Sequence, residues 1–387
     1  MRKAHYQTII IGGGVAGLAC ANELSKQGHD FLLVSKNLGG RLCSSWNDAS
    51  NYGAYVIPNT DEKILHLVER TQRIRLFHLD FHRQKQRYSF LEIFSHQKEF
   101  FHFIPFLVFY RSLYKKFRAH AMQHGQAAAF SAFPLVYELY QTPATRFIRD
   151  RGIQTITDRF LCEPVWMCTF APIANLNAFD FMHIVMNLGV PVYKFRTKIQ
   201  EVIHPYKKRI RLAEVKNLYE ADEIQLQLHD KSTLWCRQLV LATPLDVTHK
   251  FLNVQLNKKP CSAHLFHVKG ILRPEFTEGD LELFHEREHT IFFSQEADGT
   301  TIFYSTTKKP NLERFFLTHT ILYHRHWNPA FYLGGNTIID PCYSKQITLA
   351  GDFNIVGMED SYISGLFAAR RVLTSLRSAG RQSRRFR

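Results

Sequence analysis

Long apolar runs and cysteine pairs are the features that this sequence most clearly lacks. A membrane-spanning helix needs about 20 consecutive apolar residues, and the best candidate, FFHFIPFLVFY at residues 100–110, is far shorter. The seven cysteines are odd in number, scattered and without a Cys-x-x-Cys pair. This usage is typical of free thiols in a reducing compartment. We therefore expect a cytoplasmic globular protein that is neither integral to a membrane nor stabilised by disulfide bonds.

Repeats, flexible linkers and metal-ligand clusters are missing as well. No repeat of fixed period is visible, which excludes a solenoid or a propeller. None of the 20 histidines forms a helical His-x-x-x-His pair beside an acidic residue, so we predict no metal site. The chain has 387 residues, of which 45% are hydrophobic. That is enough for about two to three domains, and the missing linkers indicate that these domains interleave.

Acidic residues are scarce relative to basic ones. The 49 lysines and arginines against 34 aspartates and glutamates give a net charge of +15, which favours an anionic partner. The stretch Phe100–Phe117 mixes aromatic and basic residues, a pattern typical of a segment at a membrane surface. An amphipathic helix packed over a protein core would show the same pattern. We expect no nucleic-acid partner, because no binding module for one is recognisable.

Residues 8–34 predict a strand, a glycine-rich turn, a helix and a second strand. The turn, GGGVAG over residues 12–17, fits G-x-G-x-x-G. In this motif Gly12 permits the tight turn, Gly14 lets the backbone approach a pyrophosphate, and Gly17 lets helix and strand pack closely. The first N–H groups of the helix then face the phosphates. The pattern predicts a dinucleotide site in a Rossmann-type domain.

The acidic residue expected at the end of the second strand is absent. Such an acid accepts hydrogen bonds from the ribose hydroxyls, and here the strand ends with Ser35 and Lys36. Ser35 can make only part of that contact, whereas Lys36 could bind a 2′-phosphate. These two residues alone leave FAD and NADP open as cofactors.

Two segments after the turn resemble the flavin-containing amine oxidases and their relatives, the protoporphyrinogen oxidases and phytoene desaturases. LGGR at residues 38–41 is similar to the family's Gly-Gly-Arg loop along the FAD pyrophosphate. NYGAYV at residues 51–56 is similar to its "D-x-G-A-x-x" stretch, which passes the isoalloxazine ring. The resemblance implies FAD as the cofactor.

Later segments extend this resemblance over most of the chain. Residues 195–199 resemble the strand whose backbone meets the adenine, and LVLATP at residues 239–244 resembles the strand "V-x-A-x-P". LAGDF at residues 349–353 and GMEDS at residues 357–361 are similar to the closing flavin motif. Together with the turn and the second strand, these motifs assign the following cofactor-binding residues: Gly12, Gly14, Val15, Ala16, Gly17, Ser35, Lys36, Gly39, Gly40, Arg41, Ala54, Tyr55, Val56, Ile199, Ala242, Gly351, Asp352, Met358, Glu359 and Ser361.

The substrate site is less clearly marked than the cofactor site. HRHWNPAFY at residues 324–332 looks like the "R-W-x-x-A-x-P" segment near the substrate pocket of relatives, which implies Trp327 and Tyr332 as pocket walls. Core aromatics at a sheet edge would look the same. No catalytic residue is identified; Lys269 follows a plausible strand, where amine oxidases have a lysine, but a solvated charge would fit there equally well.

The predicted fold class is α/β, with a Rossmann-type FAD-binding domain interleaved with a mixed sheet-plus-helix substrate domain. Residues 61–70 have a helical pattern, and residues 73–140 predict helices with loops. The predicted limits are residues 1–60, 192–260 and 336–380 for the FAD-binding domain, residues 61–191 and 261–335 for the substrate domain, and residues 381–387 for a basic tail.

The resemblance implies an FAD-dependent oxidoreductase that passes a hydride from a hydrophobic, isoprenoid- or porphyrin-like substrate to flavin N5. A flavin amine oxidase is the second reading. The third is a catalytically inactive flavin-fold protein that binds a partner or a membrane, which the missing ribose acid favours. The expected partners are an apolar small molecule and a membrane surface. The expected location is the cytoplasm, with the protein peripheral on that membrane. The substrate, the electron acceptor and the oligomeric state stay open.

Overall fold

The computed structural model of the chain describes residues 4–46, 50–75, 79–83, 86–89, 97–187, 189–277 and 279–385. In these ranges the strands are β1 (Ala4–Gly13), β2 (Phe31–Leu38), β3 (Ile57–Pro58), β4 (Val68–Ile74), β5 (Leu79–Arg83), β6 (Gln86–Ser89), β7 (Val192–Thr197), β8 (Ile210–Leu212), β9 (Val215–Glu220), β10 (Ile224–Leu228), β11 (Thr233–Leu241), β12 (Lys259–Leu272), β13 (Leu281–Phe284), β14 (Thr290–Gln295), β15 (Thr300–Ser305), β16 (Phe316–Leu333) and β17 (Ile347–Leu349). The α-helices are α1 (Val15–Lys26), α2 (Gln97–His124), α3 (Gln126–Ala132), α4 (Pro134–Gln141), α5 (Ala144–Asp150), α6 (Gln154–Ile156), α7 (Cys162–Thr169), α8 (Ala178–Val185), α9 (Ile199–Ile203), α10 (Leu245–Phe251) and α11 (Met358–Arg385). A π-helix, Thr157–Leu161, joins α6 to α7, and short 3₁₀-helices cover Lys63–His66, Ile173–Asn175, His204–Arg209, Pro274–Phe276 and Leu312–Arg314.

The first sheet is built around the buried strand β1. Its described strands stand in the order β8-β2-β1-β11-β10-β9, and β17 pairs with β11 beside β10. The pairs from β8 to β11 are parallel, as is β11 with β17, whereas β10 and β9 run antiparallel. Ile9, Ile10 and Ile11 are buried, as expected for a parallel strand covered on both faces. This sheet with helices α1 and α11 is the Rossmann layer, and the predicted α/β fold class is confirmed.

Helices α1 and α11 lie unusually close together in the Rossmann layer. A Cβ atom on Gly365 would collide with the backbone carbonyl of Ala16, so glycine is required at this contact. Helix α1 starts directly after β1, and α11 starts a short loop after β17. Both helix N-termini therefore lie at the carboxyl edge of the parallel strands, where ligands bind in such folds.

A second sheet and helices α2 to α8 form the substrate domain. The described strands of this sheet have the order β16-β12-β15-β14-β13-β5-β6. Between the sheet and the helices lies a large apolar core rich in fully buried aromatic side chains, including Tyr110, Phe117, Phe130, Phe179 and Tyr304. Such rings bury large areas and dominate the stability of a core.

The chain passes repeatedly between the two units. Strands of the Rossmann layer come from residues 4–38, 210–241 and 347–349, and those of the second sheet come from residues 79–89 and 259–333. A small sheet of described strands, ordered β3-β7-β4, lies between these segments in sequence. The exact domain limits given above stay a prediction, and the end of the predicted basic tail, residues 386–387, lies outside the described residues.

Two predictions of local structure are wrong. Residues 61–70 do not form one helix, because the 3₁₀-helix Lys63–His66 is followed by strand β4. The segment 73–140 is also not purely helical, since it contains strands β5 and β6. Both strands are short, and β5 pairs parallel with β13, some 200 residues away in sequence. Strands β5 and β6 also pair with each other, but strands of four or five residues offer too few positions for a period of two to be recognised.

Two further features concern the cysteines and the apolar helices. All seven cysteines are among the described residues and none forms a disulfide bond. Across the described part of the chain, no helix is both long and apolar enough to cross a membrane.

Candidate functional site

In the glycine-rich turn at residues 12–17, two glycines are needed for close packing and a third faces open space. A Cβ atom on Gly12, whose φ is +109°, would collide with the carbonyl of Ala242, and one on Gly17 would collide with the carbonyl of Gly12. A Cβ on Gly14 would meet no atom within 4 Å. Gly12 and Gly17 thus let β1, β11 and α1 pack, while Gly14 leaves free space at the N-terminus of α1. Val15 and Ala16 form the first turn of that helix.

The second glycine loop lies directly over the first. The Gly39 N–H donates to the Gly13 carbonyl at 2.7 Å. A Cβ on Gly40 would lie 3.2 Å from the Cα atom of Gly14. The side chain of Ile199 lies beside Gly39, because a Cβ there would come within 2.9 Å of Ile199 Cδ1. The structure therefore brings the predicted pyrophosphate loops and the predicted adenine segment to one place.

Arg41 joins this loop to the closing motif of the chain. Its guanidinium lies 2.6 Å from a carboxylate oxygen of Asp352, and both side chains are largely shielded from solvent. The same guanidinium lies 5.9 Å from the centre of the Phe331 ring. A Cβ on Gly351, whose φ is +136°, would meet no atom within 4 Å. A second open backbone position thus stands beside an ion pair, more than 300 residues from Gly14 in sequence.

The segment 51–56 runs antiparallel to the arginine loop. The Ala54 N–H donates to the Arg41 carbonyl at 2.9 Å. Tyr55 is buried, and its hydroxyl donates to the carboxylate of Glu296. That carboxylate also lies 3.0 Å from the ammonium of the buried Lys194. Burial raises the pKa of Tyr55, and the neighbouring carboxylate raises it further, so Tyr55 stays a phenol. Val56 packs half-buried against the core of the substrate domain.

The first turn of α11 contains one free polar group and one that is fully engaged. The Ser361 hydroxyl is buried and has no hydrogen-bond partner among the described residues. The Glu359 carboxylate instead accepts from the backbone N–H groups of Lys63 at 2.9 Å and Ile64 at 2.8 Å. Burial raises the pKa of Glu359 to about 7. Glu359 thus anchors the 3₁₀-helix, while Ser361 is available to a ligand; Met358 lies half-buried at the helix start.

A buried ion cluster behind this turn was not predicted from the sequence. Arg118 on α2 lies 2.7 Å from an oxygen of Asp360 and 3.0 Å from an oxygen of Asp61. The Tyr114 hydroxyl donates to Asp360 at 3.0 Å. His183 is buried beside the cluster, and its burial lowers its pKa to about 4. The cluster fixes the start of α11 against α2 and α8. Nothing in the sequence separates Arg118 from the neighbouring exposed Lys115 and Lys116, so its buried role could not be predicted.

Ser35 and Lys36 are both engaged with other parts of the protein. The Ser35 hydroxyl accepts from the Gly13 N–H at 2.8 Å and donates to the Asn37 carbonyl at 2.6 Å. Since its single proton is used, Ser35 stabilises the turn. Lys36 is exposed, and its ammonium lies 3.3 Å from Glu214. The Lys36 ammonium, which favoured NADP in the sequence, therefore already has an anionic partner, Glu214, on the protein.

The two predicted pocket residues lie apart. The Trp327 indole N–H donates to the Tyr52 carbonyl at 2.8 Å, so Trp327 packs at the core of the substrate domain. Tyr332 packs against the core of the Rossmann layer instead. Lys269 is exposed within β12, as a solvated charge would be. A shared pocket wall of Trp327 and Tyr332 stays a prediction, and the structure does not bring these two side chains together.

A row of stacked rings leads from Arg41 into the substrate domain. Phe331 stacks on Phe170 at 5.4 Å between ring centres, and Phe170 stacks on Tyr304 at 5.5 Å. Phe292 continues the row at 4.7 Å from Tyr304 and reaches Tyr55 at 5.3 Å. Phe170 also lines a cavity of about 270 Å³. The row begins with the half-buried Phe331 and Phe170 near the ion pair of Arg41 and Asp352, and it continues into the core through the buried Tyr304, Phe292 and Tyr55.

The described residues fit a dinucleotide with a flavin end. Two open glycine positions, Gly14 and Gly351, let backbone approach a ligand. The orphaned hydroxyl of Ser361 is a polar group that a bound molecule would satisfy. No group of three or more His, Cys, Asp or Glu suited to a metal ion occurs in the described residues.

Comparison with known proteins agrees with this geometry. Residues 10–71 match the family model described as "NAD(P)-binding Rossmann-like domain". Among solved structures, a redesigned putrescine oxidase is 12% identical, covers 96% of this chain and 100% of its own, and has a TM-score of 0.70. Cyclohexylamine oxidase from Brevibacterium oxydans IH-35A is 15% identical, covers 96% and 99%, and has a TM-score of 0.66. A protein from Pyrococcus furiosus is 13% identical, covers 96% and 97%, and has a TM-score of 0.59.

One curated sequence also aligns with a short part of the chain. An uncharacterized protein from the nifH2 3′ region of Methanothermococcus thermolithotrophicus is 46% identical over 39 residues, which are 10% of this chain and 38% of that protein. The chain thus aligns with well under half of that relative. The solved structures establish the fold: over nearly its whole length, the chain shares the fold of putrescine oxidase and cyclohexylamine oxidase.

Proposed function

We propose that this chain is an FAD-dependent oxidoreductase that acts on an apolar small molecule. The observation that carries the proposal is the meeting of Gly14, Gly40 and Arg41 with Gly351 and Asp352, from opposite ends of the chain, at one edge of the Rossmann layer. Two open glycines and a fixed guanidinium suit a long, doubly charged ligand with a polar chain between its ends. FAD, when bound, supplies the chemistry by accepting a hydride from the substrate at N5.

The residues of the chain bind and orient the cofactor. The N-terminus of α1 offers backbone N–H groups beside Gly14 to the pyrophosphate. Asp352, held by Arg41, offers its remaining acceptor sites to the ribityl hydroxyls. The start of α11, with Met358 and Ser361, would hold the flavin end of the cofactor through its N–H groups and the positive end of its helix dipole. The aromatic row that begins at Phe331 excludes water from the reacting side.

An apolar substrate agrees with the walls of the site better than a charged one. The five rings of the row from Phe331 to Tyr55 carry no charge, and the Lys194 ammonium beside the Tyr55 ring is paired with Glu296. An amine is the second candidate, because solved structures of the same fold include a putrescine oxidase with putrescine bound. Transfer of a hydride needs no acid or base at the reacting carbon. Neither substrate class therefore requires a catalytic acid or base from the chain. A peripheral location at a membrane is part of the proposal, since apolar molecules partition into bilayers.

The first test is the absorbance of the purified protein, with chromatographic identification of any released flavin. We expect visible flavin bands and stoichiometric FAD. The variants Arg41→Gln and Asp352→Asn should lose FAD, whereas Lys36→Gln, a matched change at an exposed ion pair, should keep it. A colourless protein that also refuses added FAD would contradict the proposal and favour a binding protein without catalysis.

A second experiment separates the two substrate classes. The FAD-loaded protein is mixed without oxygen with apolar polyenes in one series and with primary amines in another. Bleaching of the flavin bands by polyenes alone supports the apolar substrate, and bleaching by amines alone supports the second candidate. A loaded protein that neither class bleaches would contradict both.

A further inference from the structure

Helix α2 presents an apolar face to solvent along its first half. Phe101 is 61% exposed, Val108 58% and Phe109 54%, although each is a large hydrophobic residue. Pro105 lies between them and is exposed as well. These positions follow one another at helical spacing and form a single stripe. An isolated exposed hydrophobic residue needs no explanation, but a contiguous stripe marks an interaction surface.

Cations border this stripe at both ends. Lys98 precedes Phe101 by about one turn, and Lys115 and Lys116 follow Phe109 after about two turns; all three are exposed. From Lys98 to Lys116 the helix spans about 27 Å. The single acidic residue of α2, Glu99, accepts a hydrogen bond from the Ile156 N–H at 3.0 Å. The described stripe therefore has an apolar centre, basic ends and a carboxylate that is engaged elsewhere.

The helix cannot hide this face by rotating. Its opposite side carries Phe103, Tyr110 and Phe117, each at most 3% exposed, in the core of the substrate domain. Arg118 fixes the second half of α2 through its buried ion pairs with Asp61 and Asp360. The apolar stripe is therefore a permanent feature of the surface in the folded protein.

We propose that this stripe docks the protein on an anionic lipid surface, with α2 parallel to the membrane. Phe101, Val108 and Phe109 enter the boundary between headgroups and acyl chains, and the flanking lysines contact anionic headgroups. Charge complementarity favours a lipid surface over a second copy of this chain, whose net charge of +15 would be repelled. The inference rests on the proposed function for its purpose, since α2 belongs to the domain that would receive an apolar substrate from the membrane.

The test is co-sedimentation of the full chain with vesicles. One set is phosphatidylcholine mixed with phosphatidylglycerol, and the other is phosphatidylcholine alone. We expect binding to the mixed vesicles that weakens at high salt, and binding at least about tenfold weaker without the anionic lipid. Equal binding to both sets would overturn the role of the lysines. If the chain binds neither set of vesicles, the proposal is wrong, and the stripe is then a contact surface for another protein.

Two pairs of substitutions locate the surface. The variant Lys115→Gln with Lys116→Gln should lose about fivefold in vesicle affinity for each lysine. The variant Phe101→Ser with Phe109→Ser should lose about tenfold or more. A control, Leu212→Ser with Lys207→Gln and Lys208→Gln, changes an exposed apolar residue and two exposed lysines elsewhere and should bind as the parent does. Parent-like binding by both α2 variants would overturn the assignment.

Flavin absorbance of the same preparations separates this inference from the proposed function. If the protein carries flavin but does not bind vesicles, only the proposed docking surface is contradicted. If the protein carries no flavin but binds anionic vesicles through α2, the oxidoreductase assignment is contradicted and the docking surface is supported.

Discussion

In the Rossmann layer the site is formed by backbone, whereas in the substrate domain it is formed by large buried side chains. Gly12, Gly17 and Gly365 let strands and helices approach until a Cβ would collide with a neighbouring carbonyl, and Gly14 and Gly351 leave open space. The substrate domain instead fills its interior with stacked rings such as Phe170 and Tyr304.

The charged groups of the two regions differ in the same way. In the Rossmann layer, Arg41 and Asp352 keep partial contact with solvent, so a ligand can share their charges. Behind α11, Arg118 is buried between two carboxylates and holds three elements together. The comparison indicates that substitutions in the first region should chiefly affect ligand affinity, and those in the second should chiefly affect folding stability.

The largest expected effect is the loss of Arg118. The variant Arg118→Met leaves Asp61 and Asp360 buried without a cation, and we expect it to lower the free energy of unfolding by about 3–5 kcal/mol. Urea denaturation measures this change. As a control, Arg196→Met removes an exposed ion pair with Glu69 and should change stability little. An Arg118→Met protein as stable as its control would show that the cluster is not essential to the fold.

The next effect is a pH dependence caused by Glu163 on α7. Burial raises the pKa of Glu163 to about 8, so the folded state holds a proton that the unfolded state releases above about pH 4.5. Its contribution therefore lowers stability as pH rises from about 4.5 to 8, by at most about 1.4 kcal/mol per pH unit. In Glu163→Gln this part of the slope should vanish in urea titrations across that range. An unchanged slope would contradict the assignment, and the exposed Glu69→Gln is the matched control.

A smaller effect is expected at the open glycine of the Rossmann layer. Gly14 has φ −78° and ψ −173°, which any residue adopts, and open space around it. Gly14→Ala should therefore fold normally but weaken FAD binding about tenfold or more, which is about 1.4 kcal/mol. Gly28→Ala is the matched control, because its φ of +65° predicts a loss of stability without a change in FAD affinity. Fluorescence titration and urea denaturation of both variants would separate the two effects.

The smallest effect concerns the contact between strand β15 and the segment 51–56. The Tyr304 hydroxyl donates to the carbonyls of Tyr52 at 2.9 Å and Gly53 at 3.0 Å. Tyr304→Phe keeps the stacked ring and removes these bonds, so we expect a loss of about 1 kcal/mol. Hydrogen exchange of the Ala54 amide should become faster in the same variant. Tyr219→Phe, at an exposed position, is the control, and equal exchange in both would contradict the role of Tyr304.

The sequence was most informative where chemistry requires glycine. The turn at residues 12–17, the loop at residues 39–40 and the closing motif at residues 351–361 were each predicted, and the structure brings them together. The turn at residues 12–17 can be predicted because glycines at this spacing between a strand and a helix are a local property of the sequence, whereas the other two segments were predicted from their resemblance to a known family. The predicted cofactor contacts of Ser35 and Glu359 depended instead on their side chains. In the structure the Ser35 hydroxyl accepts a hydrogen bond from the Gly13 N–H, and the Glu359 carboxylate accepts one from the 3₁₀-helix.

Other features could not be predicted because they depend on pairing over long distances. Strand β5 pairs with its neighbour β6 and also with the distant β13, and the helical pattern at residues 61–70 gave no sign of β4, which pairs with β7. Trp327 and Tyr332 lie on one strand, but the pairing of β16 with β12 shifts register between Trp327 and Phe331. Regular alternation along the strand is interrupted there, so the sequence could not predict which core each side chain joins.

The sequence by itself determined the first strand, glycine-rich turn and helix of the Rossmann layer, because these follow from local steric rules that one short segment can satisfy. The order of the later cofactor motifs followed from their resemblance to a known family. The tertiary structure alone decided that Arg41 meets Asp352, that Arg118 lies between two carboxylates, and that one side of α2 stays uncovered. These contacts join residues hundreds of positions apart, or depend on which face of a helix the core covers. No local pattern encodes them, since burial is a property of the whole packed molecule.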